Sequence, residues 1–390
     1  MTNDPPLSDQ LLVLVLNAGS SSLKASLLAP GRSLDALHPH WSGQSSWQLD
    51  RSGAVEALLD DWLAPQLAHC RQSIQLVGHR VVHGGERFTA PTRLNQTAIT
   101  AIEALVPLAP LHNGPAVRVM RWMMEWLPEA EAWACFDTAF HASIPPERHT
   151  YALPMAWRAL GLRQFGFHGL NHQHVAGTTA ALKPAARRLI SCHLGAGCSL
   201  CAILLPPAGP PRSLATTMGF TPLDGLVMAT RSGSVDPGLL IHLLNQGVSV
   251  PQLEQQLNHN SGLLGLSELS GSMQVLRAAA ADGHAGARLA IGVFEARLLE
   301  QIGAMAAALG GVDVIALSGG IGEHDQPLRA RLEQALGWLG RLEWLVVPAN
   351  EEGVIARSCL RQRSLLQDHG ESEDIQKVGA GSEESEGVDP

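Results

Sequence analysis

The chain has 390 residues, 45% of them hydrophobic, with a formal net charge of −9 and 17 histidines counted neutral, a length that suits two domains of ~100–200 residues each. Lysine and arginine are scattered, which argues against a nucleic-acid partner, and the apolar runs stop short of the ~18 residues a membrane helix needs. The polar start MTNDPPLSDQ has no basic region, and six cysteines in so long a chain read as reduced thiols rather than a disulfide framework, so a soluble cytoplasmic protein is expected.

Residues 11–28, LLVLVLNAGSSSLKASLL, alternate Val13 and Val15 with Leu14 and Leu16 as a buried strand does, then turn tightly through small residues into a second strand carrying Lys24. Such a turn aims backbone N–H groups and hydroxyls at one point, which suits a phosphate. Residues 33–52 suggest strand edges and loops. The stretch 53–71 predicts an amphipathic helix with Val55, Leu58, Leu59, Trp62 and Leu63 on one stripe. Residues 74–82, IQLVGHRVV, predict a buried strand ending at His83-Gly84-Gly85, and in open α/β sheets ligands bind at that edge. Arg80 inside this apolar strand must find an anion or a carboxylate, the alternative to a ligand being a structural salt bridge.

Helices are expected over 95–108 and 114–127, joined by Pro110-Leu111-His112-Asn113-Gly114. In 132–141, AWACFDTAFH, Asp137 follows a buried strand directly, a position for a metal or phosphate site or for a cap. Residues 172–181 look helical, leaving His168 in the turn before them. The segment 189–204, LISCHLGAGCSLCAIL, repeats the first hairpin: Leu194, Ala196, Gly197 and Ser199 align with Leu16, Ala18, Gly19 and Ser21. Two related halves, each offering a phosphate-cradling hairpin to a cleft between them, follow from that repeat. Cys192, His193, Cys198 and Cys201 invite a zinc reading, but Cys198 and Cys201 sit three apart on a strand and point to opposite faces, so core thiols are expected. In 214–238 a single Arg231 lies among Thr, Ser and Gly and suggests an anion site. A helix over 285–309, a strand over 312–317 and the turn Ser318-Gly319-Gly320-Ile321-Gly322-Glu323 form a third candidate phosphate or nucleotide receiver. The strand 343–348 leads to Glu351, which caps the next helix or enters the site, and an acidic, aromatic-free tail over 367–390 is expected to be disordered.

With these stretches together the sequence resembles the acetate kinases, within the acetate/propionate/butyrate kinase family of the actin-like ATPase superfold. The resemblance rests on NAGSSSLK at 17–24, HRVVHGG at 79–85, PLHN at 110–113, FDTAFH at 136–141, GFHG at 166–169, HLGAG at 193–197, MGFTPLDG at 218–225, TRSG at 230–233, GGIGE at 319–323 and PANEE at 348–352. It implies an α/β fold of two RNase-H-like domains with a central cleft, the first over 1–140 with a return at 354–366 and the second, on the nucleotide side, over 141–353. It also implies reversible phosphoryl transfer from ATP to acetate, giving acetyl phosphate and ADP, in a homodimer that uses Mg2+, with Mn2+ able to stand in. By position, Asn17 and Glu351 would sit by the metal, and Arg80 and Arg231 would grip the transferring phosphoryl group. Asp137 and His168 would act at the reacting centre, near His112 and His193. Val82, Leu111, Phe167 and Pro222, with Arg80, would hold the short-chain carboxylate. The nucleotide would meet Lys24, His193, Gly195, Ala196, Gly197, Ser272, Met273, Gln274, Gly319, Gly320, Ile321, Gly322 and His324.

The chemistry agrees with those roles. A carboxylate nucleophile is already ionised at neutral pH, so positioning and charge neutralisation are the main tasks. Asp137 is better cast as an orienter than as a proton acceptor, and His168 as a hydrogen-bond donor to phosphoryl oxygens. The chain departs from the family pattern at Ala196 (usually Asn), at Ser272, Met273 and Gln274 (usually Asp-Phe-Arg), at His324 (usually Asn) and at Ser234 (usually Asp). Three of these departures lie on the nucleotide side, which leaves a pyrophosphate donor open. Propionate or butyrate as acceptor also stays open, as does an inactive nucleotide-binding homologue; a sugar or glycerol kinase is disfavoured by the apolar acceptor set.

Overall fold

The computed structural model describes residues 11–19, 22–31, 37–47 and 53–379. Among the described residues eleven strands form two sheets: β1 Leu12–Ala18, β2 Ser22–Pro30, β3 Leu37–Ser46, β4 Ile74–Val81, β5 Thr92–Arg93 and β6 Glu131–Phe136 in the first, β7 Arg188–Leu194, β8 Cys198–Leu204, β9 Arg212–Thr216, β10 Val314–Ser318 and β11 Glu343–Val346 in the second. The orders β3-β2-β1-β4-β6-β5 and β9-β8-β7-β10-β11 share a plan. In each, an antiparallel meander of three strands continues into two parallel ones. The repeat read in the sequence is therefore a repeat of architecture, and the chain has the two RNase-H-like units of the actin-like ATPase fold.

The alternation in β1 has its expected cause. Leu12, Leu14 and Leu16 enter one core cluster while Val13 and Val15 enter another on the opposite face, so both faces are covered. The covering layer on the valine side is the helix Glu351–Gly379, whose Val354, Ile355, Cys359 and Leu360 pack there. Gly78 in β4 permits this approach, since a Cβ there would lie 2.4 Å from Ile355 Cγ2. In the second sheet Cys198 belongs to one cluster and Cys201 to the cluster on the other face, and all six cysteines are buried free thiols.

Three expectations shift. The helix over 53–71 forms, but with a π-helical turn over Leu59–Leu63 and a 3-10 end over Ala68–Ser73, and Val55, Leu59, Leu63 and Leu67 bury. Pro110-Leu111-His112-Asn113-Gly114 is no linker: the helix Pro110–Trp126 begins at Pro110, whose fixed φ and missing N–H suit a first turn. The final helix carries on through 367–379, part of the stretch expected to be disordered; extending a helix already packed at its start needs no new nucleus. Residues 380–390, and Ser20 and Ser21 at the first hairpin's tip, lie outside the described residues.

Candidate functional site

Three neighbouring parallel strands carry the first half of the site. The register pairs Asn17 of β1 with Arg80 of β4, and Arg80 with Cys135 of β6, two residues before Asp137. The Arg80 guanidinium donates from Nε to Asp137 Oδ1 at 3.0 Å and from Nη2 to Oδ2 at 2.5 Å, and Nη1 donates to Asn17 Oδ1 at 3.0 Å. Burial raises the Asp137 carboxyl, and Arg80 draws it only part of the way back, so it stays above its ordinary value. A bidentate guanidinium that never deprotonates keeps it ionised at neutral pH. Burial also opposes the charge on Arg80, but Asp137, Glu351 and Glu352 outweigh that and hold it firmly protonated. At Glu351, the first residue of the last helix, burial would raise the carboxyl, yet Arg80, His193 and Lys24 together bring it below its usual range.

The second half of the site contributes a cation of another kind. Arg231 sits in irregular chain after β9; its Nη1 donates to Pro222 O at 3.3 Å, and among the described residues no carboxylate pairs with it. Burial, and then the charge of Arg80, pull its pKa below the usual guanidinium value. His112 is depressed to about 4 by burial and by the charges of Arg231 and Arg80, so both arginines reach the same neighbourhood.

His168 occupies the N-cap of the helix Gly169–Leu182 with φ 56 and ψ 22, a left-handed conformation that non-glycine residues seldom hold. Gly169 explains how it is held. Its N–H donates to Asp137 O at 2.8 Å, and a Cβ there would lie 2.1 Å from that oxygen. The His168 and His193 rings lie 4.4 Å apart between centroids. Burial and neighbouring positive charges lower both, His168 strongly.

Two cavities flank this group. The smaller, about 440 Å3, is lined by Leu111, His112, Pro222, Arg231, Leu253 and Leu257 among others. Val82 and Phe167, expected with Leu111 and Pro222, are not among its lining residues; they are buried in the core, where hydrophobic packing outcompetes exposure to a pocket. The larger, about 860 Å3, joins segments far apart in sequence: Gly195 and Ala196, Ser272 to Gln274, and Gly320, Ile321 and His324. Lys24, His193, Gly197, Gly319 and Gly322 do not line it. Gly319 and Gly322 are buried, and Gly197 lies against His168 and Arg231, where a Cβ would be 3.1 Å from His168 Cε1 and 3.7 Å from Arg231 Nη1. The tip of the second hairpin thus borders the larger cavity at Ala196 and touches the arginine of the smaller one at Gly197.

One participant escaped the sequence reading. Arg277 lines the larger cavity while donating to Glu295 Oε1 at 2.8 Å and Asp325 Oδ2 at 3.1 Å; its only signal was a lone charge in an alanine-rich helix. Ser234, where the family pattern has Asp, hydrogen-bonds Asp224 Oδ1 at 2.5 Å and so braces its own loop. Among the described residues no group of three or more His, Cys, Asp or Glu converges as a metal site. A cation of the magnesium type takes only one or two carboxylates and fills its shell with water and phosphate oxygens. The half-buried, ionised Glu351 and the amide oxygen of Asn17, both beside Arg80, fit that need.

The Acetokinase family profile matches residues 38–353. An acetate kinase from Synechococcus sp. (strain JA-2-3B'a(2-13)) is 43% identical over 411 residues, covering 91% of this chain and 99% of the relative. One from Deinococcus radiodurans is 43% identical, covering 84% of this chain and 86% of the relative. Among solved structures, the Porphyromonas gingivalis acetate kinase superposes with a TM-score of 0.79 at 30% identity, covering 90% of this chain and 99% of that one. A propionate kinase from Francisella tularensis gives 0.78 with the same identity and coverage.

Proposed function

The chain belongs to the Acetokinase family, and we propose that it catalyses reversible phosphoryl transfer between ATP and acetate, giving ADP and acetyl phosphate. The single observation that carries this reading is a pair of arginines close enough to feel each other's charge, Arg80 neutralised by Asp137 and Arg231 on the wall of the smaller cavity without a carboxylate partner among the described residues. An uncompensated, half-buried guanidinium calls for an anion, and a phosphoryl group in transfer spreads charge over three equatorial oxygens.

In this reading Arg80 and Arg231 hold those oxygens, Asp137 fixes the Arg80 fork, and neutral His168 donates to a phosphoryl oxygen. The carboxylate enters the smaller cavity with its alkyl end toward Leu111 and Pro222, and needs no general base. Asn17 and Glu351 would hold Mg2+, or Mn2+ in its place, which supplies charge neutralisation to the donor's phosphates. The nucleotide fits the larger cavity, with Lys24 and His193 toward its phosphates. Closure of the two lobes, 1–140 with 354–366 and 141–353, would exclude the water that hydrolyses the donor; the covering of the first sheet by the last helix supports that division. The buried free thiols suit a reducing cytoplasm. A homodimer is supported by the helix Pro237–Asn245, which buries no residue of its own and exposes Leu239, Ile241 and Leu244.

A propionate or butyrate acceptor is favoured by the size of the smaller cavity, which exceeds the volume of acetate alone. A non-nucleotide donor such as pyrophosphate is favoured by the small or uncharged side chains of Ala196, Ser272 and Gln274 in the larger one. A matrix of acceptors and donors on the purified protein, with hydroxylamine trapping of acyl phosphate and separate detection of ADP and phosphate, tests all of these. Tight nucleotide binding with no acyl phosphate from any pair would reduce the protein to a binding homologue.

A further inference from the structure

Behind the phosphoryl site four side chains, three of them buried and His168 partly exposed, form one unbranched hydrogen-bonded chain. Ser191 Oγ lies 2.9 Å from His172 Nδ1, His172 Nε2 lies 2.8 Å from Ser199 Oγ, and Ser199 Oγ lies 2.9 Å from His168 Nδ1. Ser191, His172 and Ser199 are wholly buried. The remaining nitrogen, His168 Nε2, makes no hydrogen bond among the described residues, and it lies on the Gly197 side, where a Cβ would be 3.2 Å from it and 3.7 Å from Arg231 Nη1.

Burial and neighbouring positive charge hold both imidazoles far below their ordinary pKa, so both are neutral. A neutral imidazole has one N–H and one lone pair, and a hydroxyl has one proton. Each ring therefore accepts at one nitrogen and donates at the other, whereas Ser199, with one proton and two lone pairs, can donate to either ring or accept from both. Three arrangements satisfy every link. In the first, Ser191 donates to His172 Nδ1, His172 Nε2–H donates to Ser199, Ser199 donates to His168 Nδ1, and His168 carries its own proton outward on Nε2. In the second every donation reverses and in the third both rings donate to Ser199; in both, Nε2 turns a lone pair to the cleft and one buried hydroxyl proton, of Ser191 or of Ser199, has no partner along this chain.

We propose that Ser199 and His172 are positioning residues for phosphoryl transfer, fixing His168 as the Nε2–H tautomer that donates to the bound phosphoryl group. The inference rests on the phosphoryl-transfer reading above. An anionic oxygen beside Nε2 selects the outward arrangement, because it attracts an N–H and repels a lone pair. A neutral donor adds direction without placing a third positive charge beside Arg80 and Arg231. The left-handed backbone of His168 is a strain that persists only where the surroundings over-determine it, and the Ser199 link is one of the contacts that do so.

The test uses the full chain labelled with 15N-histidine, long-range 1H–15N correlation spectra and inorganic phosphate as the probe, with His168→Asn identifying the His168 signals. With phosphate bound, His168 should be neutral and protonated at Nε2 from pH 6 to pH 8. Ser199→Ala should give a mixture of tautomers and lower kcat about 100-fold, as removal of one preorganised donor does elsewhere, with the carboxylate KM within about twofold. His172→Gln keeps an N–H toward Ser199 and should retain both the tautomer and kcat within about threefold. A His168 protonated at Nδ1, or an imidazolium, in the phosphate-bound wild type overturns the proposal, whether or not the variants fold. So does a Ser199→Ala enzyme with wild-type kcat and tautomer. A His168 that stays Nε2–H yet shows no response to phosphate instead overturns the phosphoryl-site reading, and the proposal falls with it.

Discussion

The two ends of the cleft are built by opposite means. At the Arg80 end the charged groups are tied to one another across adjacent strands: Arg80 holds Asp137 and Asn17, and Gly169 holds the Asp137 backbone. At the Ala196 end a wider cavity is framed by glycine turns and small or uncharged side chains, and Arg277, its strongest charge, is already spent on Glu295 and Asp325. A cross-tied end keeps one geometry for whatever phosphoryl group arrives. The open end can exchange donor contacts with little consequence for the fold, and three of the four departures from the family pattern fall on that side.

The sharpest way to break this comparison is to remove each arginine. Arg231→Ala should lower turnover by about 10^3- to 10^5-fold, the scale of losing a charge-stabilising arginine, with a melting temperature close to wild type, because no buried carboxylate loses a partner. Arg80→Ala should lose as much turnover and, in addition, about 3–5 kcal/mol of stability, because Asp137 is left buried and charged. Adding Asp137→Asn should restore the stability and not the turnover. Near-normal turnover in either single variant refutes the clamp.

Acid should find the tied end first. His79, His83 and His141 are buried there, and desolvation depresses them to about 3, about 4 and about 4. Their folded pKa values lie below the unfolded 6.5, so the unfolded chain takes up more protons between those values, and the stability they contribute is whole above pH 6.5 and lost as pH falls toward 4. Each should cost about 1.4 kcal/mol per pH unit in that window. Thermal unfolding followed from pH 7 to pH 4.5 should drop steeply, and a flat profile would contradict their burial as neutral rings.

The open end should answer to smaller changes. Ala196→Asn should lower the KM for ATP about tenfold, the value of one hydrogen bond to a charged group, while leaving acetate saturation unchanged; an unaltered KM would mean that this side chain does not reach the donor. Of similar size, Leu253→Ala should shift the kcat/KM ratio of butyrate to acetate upward by about tenfold, since one or two methylenes in an apolar pocket are worth only about 1–3 kcal/mol. An unchanged ratio would remove the helix Val250–His259 from acceptor selection.

Much of this architecture was legible beforehand because it depends on local pattern. The valine and leucine alternation of β1, the glycine turns after β7 and β10, and the opposed faces of Cys198 and Cys201 follow from the period of a strand. Arg80 announced itself as a charge in an apolar run, and its partner lay where a strand ends, at Asp137. The misplacements have reasons as specific. Val82 and Phe167 stand within motifs beside site residues, but adjacency in sequence does not tell which side of a turn faces the core. Pro110 read as a linker because proline breaks helices in the middle, whereas here it begins one.

By itself the sequence determined the doubled strand plan, the family and the kinds of side chain that meet at the cleft, because these depend on short-range periodicity and on residues whose charge or lack of a Cβ admits few settings. Which partner each of them takes depends on how the strands and helices pack. Among the described residues Arg231 is left without a carboxylate while Arg80 has one, and Ser191, His172, Ser199 and His168 fall into line, because hydrogen-bond direction and burial depend on distances between strands and helices that no local pattern encodes.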